Sequence, residues 1–298
     1  MARLLDGRCV VVTGAGKGLG RAYAHACAAH GASVVVNDVD EEAALAVVEE
    51  VAAAGGHAVA EPGSVGSWST AARLVDTAQR RFGRLDGLVA NAGVTHHAAP
   101  WEEDEAWLRR IVEINVLGVQ FCATHAMRAM LRQGTGGSIV TVVSGSRFGI
   151  PGMSAYGATK GAVAAMTAGW ALECAPAGIR VNAISPLAET GMAAIDARPD
   201  RPALGAPEDV APAVVALLSE ATRDVTGRIF RFDGTRLGLY APETLSTAAD
   251  EELRAAAGRA ASIARTLTLL AGAVVDTETS TVVPSLVSQP LKRKPSST

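Results

Sequence analysis

The stretch Val11–Asp40, "VVTGAGKGLGRAYAHACAAHGASVVVNDVD", passes from an apolar strand through glycines at alternate positions into a helix pattern, then into a second apolar strand ending at an acid. Gly14 lets the chain turn sharply, and Gly18, between Lys17 and Leu19, lets the backbone approach a bulky anion. Gly20 lets the following helix lie close on a sheet. That helix presents unpaired N–H groups and a partial positive charge at its start, which suits a pyrophosphate. Asp38 stands 18 positions after Gly20, with Val39 beside it. A carboxylate there accepts hydrogen bonds from an adenosine ribose. The acid favours NAD over NADP, because a 2′-phosphate would meet like charge at a cost of about a few kcal/mol. Lys17 argues the other way, and its plainer reading is a solvent-facing side chain.

The composition narrows the setting. The chain has 298 residues, 49% of them apolar, a net charge of −3 and a pI near 6.1. Those values provide for a large core and argue against nucleic acid or a membrane surface as partner, since both need concentrated positive charge. The first residues, "MARLLDGRCVVV", lack signal-peptide design, and no apolar run approaches the ~20 residues of a membrane span. A cytoplasmic protein is expected. Cys9, Cys27, Cys122 and Cys174 lie unclustered in apolar runs and read as buried free thiols rather than disulfides or a metal site.

Short apolar runs alternate with longer segments of helical period. The runs are Arg8–Thr13, Ser33–Asn37, His57–Glu61, Asp86–Ala90, Ser138–Val143, Ile179–Ile184 and Arg228–Phe232. Between them, Glu41–Ala54, Ser69–Phe82, Asp104–Leu131 and Ser154–Ala175 place apolar residues three and four apart. The alternation predicts an α/β doubly wound (Rossmann) sheet of about seven parallel strands, with helices on both faces. It closes near Tyr240, so residues 1–240 are expected to form the nucleotide-binding catalytic domain. Residues 241–298 read as a C-terminal helix and a flexible tail rich in Ser, Thr and Pro.

Tyr156 and Lys160 are four apart in a helix-period segment and share one face. A phenol is a poor base at neutral pH, and a nearby ammonium favours its ionised form. Tyr156 can then take a proton from an alcohol, or return it to a ketone, with Ser144 hydrogen-bonded to the substrate oxygen. Ser146 is the nearest rival for that place.

With "TGAGKGLG" at Thr13–Gly20, "NAG" at Asn91–Gly93 and "YGATK" at Tyr156–Lys160, the chain resembles the short-chain dehydrogenase/reductase family over roughly its first 240 residues. Within that family, "GRAYAHACAAHGASVVVND" and "RIFRFDGTRLGLY" look most like the dehydrogenase domain of peroxisomal multifunctional β-oxidation enzymes and their stand-alone bacterial relatives. The resemblance implies that Asn115 holds a water between Lys160 and solvent; read alone, Asn115 could instead cap a helix kink. It also implies that Asn91, Ala92 and Gly93 line the adenosine side of the cleft. Ser64, Val65, Pro186 and Thr190 become further cofactor contacts, Thr190 reaching the carboxamide. Three departures stand out: Ser64 occupies a position where Asp is usual, Leu187 follows Pro186 in place of Gly, and the Ser144–Tyr156 interval is one residue short.

The substrate walls are expected at His96 and His97, at Phe148 and Met153, and at Met192 in the short segment after Thr190. A mostly apolar cleft suits a lipophilic secondary alcohol or ketone of hydroxyacyl, steroid-like or polyketide-like kind. His96 and His97 lack a third ligand for a metal. Three readings follow: an NAD-dependent oxidoreductase, a non-redox enzyme on the same scaffold (epimerase, dehydratase or cyclase), and a non-catalytic dinucleotide sensor. The last would be expected to lose Tyr156 or Lys160. The apolar faces of Asp104–Leu131 and Ser154–Ala175 point to a homo-oligomer, and the resemblance implies a homodimer or homotetramer.

Overall fold

A computed structural model describes residues 3–189 and 204–241. By its internal contacts the chain separates into Met1–Tyr240 and Ala241–Thr298. The expected C-terminal helix and tail lie outside the described residues.

The strands are β1 (Cys9–Thr13), β2 (Ser33–Asn37), β3 (His57–Ala60), β4 (Gly87–Ala90), β5 (Gly137–Val142), β6 (Ile179–Pro186), β7 (Ile229–Phe232) and β8 (Leu237–Leu239). They form one sheet in the order β3-β2-β1-β4-β5-β6-β7-β8. Seven of them run parallel, as the alternation requires, and β8 adds an antiparallel edge that pairs Leu239 with Phe230. The eighth strand escapes the sequence pattern because "LGL" is short and wholly exposed, with no buried face to impose alternation.

The helices are α1 (Gly18–Ala29), α2 (Glu41–Ala53), α3 (Trp68–Phe82), α4 (Glu105–Val112), α5 (Gly118–Gln133), α6 (Ser154–Cys174) and α7 (Pro207–Leu218). Two cores flank the sheet. Val10, Val12, Val34 and Val36 pack with residues of α1, α2 and α7, while Val11 and Val35 pack with α3, α5 and α6. Successive β residues face opposite sides, so "VVV" runs feed both layers, and this is why the strands read as continuous apolar blocks. All four cysteines are buried thiols, as expected. Among the described residues no helix is long and apolar enough to cross a membrane.

Two local details aim the site. The expected Asp104–Leu131 helix is interrupted by a π-helical turn, Glu113–Leu117, between α4 and α5. It brings Asn115 into the interior, completely buried, where its side chain bonds both backbone groups of Val94. Several helices begin with a side-chain cap, Asp40 for α2, Ser67 for α3 and Asp104 for α4. At the start of α1, Lys17 provides no such acceptor, and the first N–H groups there are left to another partner.

Candidate active site

Since β1 leads to β2 on one side and β4 lies on the other, the winding reverses between β1 and β4. A crevice opens there beyond the strand ends. The glycine loop occupies it, with Gly14 at φ +62° and Gly18 at φ +56°. A Cβ on Gly14 would lie 2.8 Å from the Ala92 Cα, and one on Gly20 would collide with the Gly14 carbonyl oxygen and the Asn91 amide. The loop thus lies closely against the end of β4 and keeps its backbone bare, as a cradle for a pyrophosphate must.

Hydrogen bonds fix this cradle. Thr13 Oγ1 accepts from the backbone N–H groups of both Asn91 and Ala92 at 3.1 Å, joining the ends of β1 and β4. Asp38 is buried; its Oδ2 accepts from Gly16 N at 2.9 Å and its Oδ1 from Asp40 N at 3.1 Å. One carboxylate therefore ties the glycine loop to the end of β2, and a Cβ on Gly16 would lie 2.8 Å from the Ala43 Cβ and 3.0 Å from Asp38 Oδ2. Val39 is 74% exposed beside it, an apolar surface fit for an adenine face. Lys17 is exposed, and Leu19 is partly buried. Ser64 bends its own turn by accepting from Gly66 N at 3.2 Å. Val65 is buried against α5, where a Cβ on Gly118 would strike it. Pro186 ends β6, paired with Phe232. A dinucleotide fits the residues present: a bare glycine cradle, an uncapped helix start and an acid at the end of β2.

The second half of the site lies at the ends of β4 and β5. Ser144 caps the 3-10 turn Gly145–Phe148 that follows β5, its Oγ accepting from Ser146 N at 3.2 Å, and its hydroxyl acts on the nearby Tyr156 phenol to favour the ionised form. Ser146 is buried with its hydroxyl unpaired among the described residues, so the serine on Tyr156 is Ser144. Lys160, one helical turn on from Tyr156, is 3% exposed, donates to the Val142 carbonyl at 2.8 Å and holds its Nζ 5.5 Å from the centre of the Tyr156 ring. A Cβ on Gly93 would lie 3.3 Å from Asn115 Oδ1 and 3.7 Å from Lys160 Nζ, so the "NAG" turn, the π turn and α6 meet at one point. Thr159 completes the contact by accepting from Asn115 Nδ2 at 3.2 Å.

Burial dominates the electrostatics. It pushes the Tyr156 phenol up to about 12, against the opposing Ser144 hydrogen bond, and pushes Lys160 down to about 8. The protein alone therefore favours the protonated phenol.

Around this centre, the segment after Gly93 runs from Val94, held by Asn115, to Ala98, whose N–H donates to Gly152 O at 3.0 Å. Of the expected wall residues, His96 stacks on Trp107 at 4.8 Å and lies 3.4 Å from Glu103, while His97 is exposed. Phe148 is 55% exposed under the Arg147 guanidinium, and Met153 precedes α6. Thr190 and Met192 lie outside the described residues. The sequence reading passed over Thr13, Gly16 and Thr159, whose roles depend on neighbours distant in the chain. A separate polar cavity near Arg8, Arg180 and Glu220 lies at the opposite ends of β5 and β6. Its arginines are committed, Arg8 to Glu220 and Arg180 to the carbonyls of Leu217 and Ser219.

Comparison with known proteins agrees with this geometry. Residues 8–199 match the family model described as short chain dehydrogenase. The chain is 42% identical over 245 residues to an uncharacterized oxidoreductase of Methylorubrum extorquens, covering 77% of this chain and 98% of that protein. It is 39% identical to a cis-4-hydroxycyclohexanecarboxylate dehydrogenase of Sinomonas cyclohexanicum, with 76% and 95% covered. The crystal structure of a short chain dehydrogenase from Mycobacterium avium superposes with a TM-score of 0.81 at 35% identity, covering 90% of this chain and 96% of that one.

Proposed function

Because the chain belongs to the short-chain dehydrogenase family, and is thus a nicotinamide-dependent oxidoreductase, we propose that it interconverts a secondary alcohol and its ketone on a largely apolar substrate. The observation that carries this reading is the convergence of the Ser144 turn and α6 at the end of β5, where the buried Lys160 Nζ lies 5.5 Å from the centre of the Tyr156 ring. Residues 1–240 serve as the catalytic domain in this proposal. The named relative acts on a hydroxycyclohexane ring, which bears a secondary alcohol, and the resemblance to β-oxidation dehydrogenase domains adds hydroxyacyl compounds to the candidate class.

Gly14, Gly18, Gly20 and the start of α1 would hold the pyrophosphate, and Asp38 the adenosine ribose, with NAD preferred over NADP. When bound, the dinucleotide supplies the hydride acceptor or donor. Ser144 holds the substrate oxygen, and Tyr156 Oη gives it a proton as the ketone is reduced or removes one as the alcohol is oxidised. The buried Lys160 charge favours the ionised phenol in the oxidative direction. Asn115 and Thr159 keep Lys160 and the π turn in register.

The test follows absorbance at 340 nm with NAD and NADP separately, across secondary alcohols from hydroxyacyl thioesters to cyclohexanols and steroids. Reduction of NAD by a member of this panel, absent in Tyr156→Phe, is the expected result. Silence across the panel with intact NADH binding would move the assignment to a non-redox reaction on the same scaffold.

A further inference from the structure

The side of Ser144 facing β7 carries charge that the acid–base chemistry does not use. Arg231 stands on β7 between Phe230 and Phe232, both of which pack into the core on the opposite face of the sheet. Its guanidinium is thereby directed to the Ser144 side, where Nη1 lies 3.7 Å from the point a Cβ on Gly145 would occupy. The Tyr240 hydroxyl lies 3.5 Å from the same point. Gly145 directly follows the catalytic serine.

Tyr240 is itself fixed. Its N–H donates to Ile229 O at 3.0 Å, its hydroxyl is 3.4 Å from Ser185 Oγ, and its ring packs at 5.4 Å from Phe148. The Arg147 guanidinium lies over both rings, 4.0 Å from the centre of Phe148 and 5.3 Å from that of Tyr240, and adds a second positive charge. Among the described residues the Arg231 guanidinium has no carboxylate within ion-pair distance. Asp233, the nearest acid along the strand, accepts at Oδ1 from the N–H groups of Thr235 and Arg236.

We propose that Arg231 and Tyr240 form a subsite for a carboxylate carried by the substrate, on the Gly145 side of Ser144. The inference rests on the alcohol–ketone reading above and narrows its substrate class to hydroxy acids and keto acids. A guanidinium binds a carboxylate through a planar pair of N–H donors, and a phenol hydroxyl supplies a third. A Cβ on Gly145 would touch both donors, so glycine there leaves them uncovered on the Ser144 side. With Gly145 standing between these donors and Ser144, the proposed subsite favours a carboxylate several bonds from the carbinol carbon, as across a six-membered ring, over one adjacent to it as in a 2-hydroxy acid.

Two measurements on the full chain decide the matter. The first compares kcat/KM for 4-hydroxycyclohexanecarboxylate and its methyl ester with NAD. The acid is expected to exceed the ester by at least tenfold, and Arg231→Gln to remove that ratio while Arg231→Lys keeps part of it. An equal ratio in the wild type and Arg231→Gln overturns the subsite. The second needs no turnover: binding of cyclohexanecarboxylate and of cyclohexanecarboxamide to the NADH complex, by calorimetry. Tighter binding of the carboxylate by about tenfold, lost in Arg231→Gln, supports the subsite even if no alcohol is oxidised, in which case the redox reading alone fails. Equal affinity for the two probes overturns the subsite whatever the activity.

Discussion

The Asn91 side-chain amide donates to the carbonyls of both Thr13 and Gly14, at 2.9 and 3.0 Å, so a residue at the end of β4 closes the turn that ends β1. Replacing it with Leu strands these two acceptors at a cost of about 1–3 kcal/mol. Asn91→Leu should melt several degrees lower than the wild type and bind NADH at least tenfold more weakly, measured by thermal denaturation and fluorescence titration. An unchanged affinity would show that the turn does not depend on this bond.

Gly20 offers a sharper test of the cradle. A methyl group there would strike the Gly14 carbonyl and lie 2.6 Å from Asn91 Nδ2. Gly20→Ala should lose NADH binding, or fold with a stability deficit of roughly 2 kcal/mol or more. Wild-type affinity and melting temperature together would contradict the close packing described.

In the proposed reading, Asp38 carries the cofactor preference. Asp38→Asn removes the negative charge while retaining an oxygen able to accept from Gly16 N. The ratio of kcat/KM for NADP to that for NAD should rise at least tenfold, in keeping with about 1.4 kcal/mol or more of relieved repulsion. A ratio that does not move would place the discrimination elsewhere, Lys17 being the nearest alternative.

The phenol raised to about 12 sets the pH behaviour. In the proposed reaction, ketone reduction uses the protonated form and should be fully supported at pH 7. Alcohol oxidation uses the ionised form and should climb as pH rises from 7 toward 10. Tyr156→Phe should lower both rates by at least about a hundredfold. Parallel pH profiles in the two directions would remove Tyr156 from the proton transfer.

Lys160 makes a prediction about stability. Burial lowers its folded value from 10.5 to about 8, so the folded state holds its proton less tightly than the unfolded chain. The cost of the buried charge is complete below pH 8, declines between pH 8 and 10.5, and is gone above. Lys160→Met should therefore be inactive yet more stable at pH 7 by roughly 2 kcal/mol, after allowing for the lost bond to Val142. That gain should shrink in melts at pH 10. Destabilisation at pH 7 would mean that the bond to Val142 outweighs desolvation.

The parallel sheet was legible because its strands are apolar on both faces and its helices keep a strict period, so that each expected run from Ser33–Asn37 to Ile179–Ile184 overlaps an observed strand. Tyr156, Lys160 and Ser144 were legible because helical spacing and strand register place them. Thr13 and Thr159 were not, since their bonds join residues far apart in the chain. Arg231 was missed for a different reason: "RIFRF" reads as a strand, and which face its charge takes depends on what Phe230 and Phe232 bury. The break in the long helix was also hidden, because "EINVL" has nothing in its composition that opposes an ordinary helical turn.

That break amounts to a phase shift. Each residue of an α-helix advances the winding by about 100°. The π turn at Glu113–Leu117 takes up one residue more than an α turn, so α4 and α5 meet out of step by that angle. Excising one residue would bring them back into step, turn Asn115 away from Val94, and leave the active-site loop without its tether while every catalytic side chain remained in the sequence. In the proposed site, the tether from Asn115 to Val94 is written there as a count of residues, which a single-codon deletion would disturb.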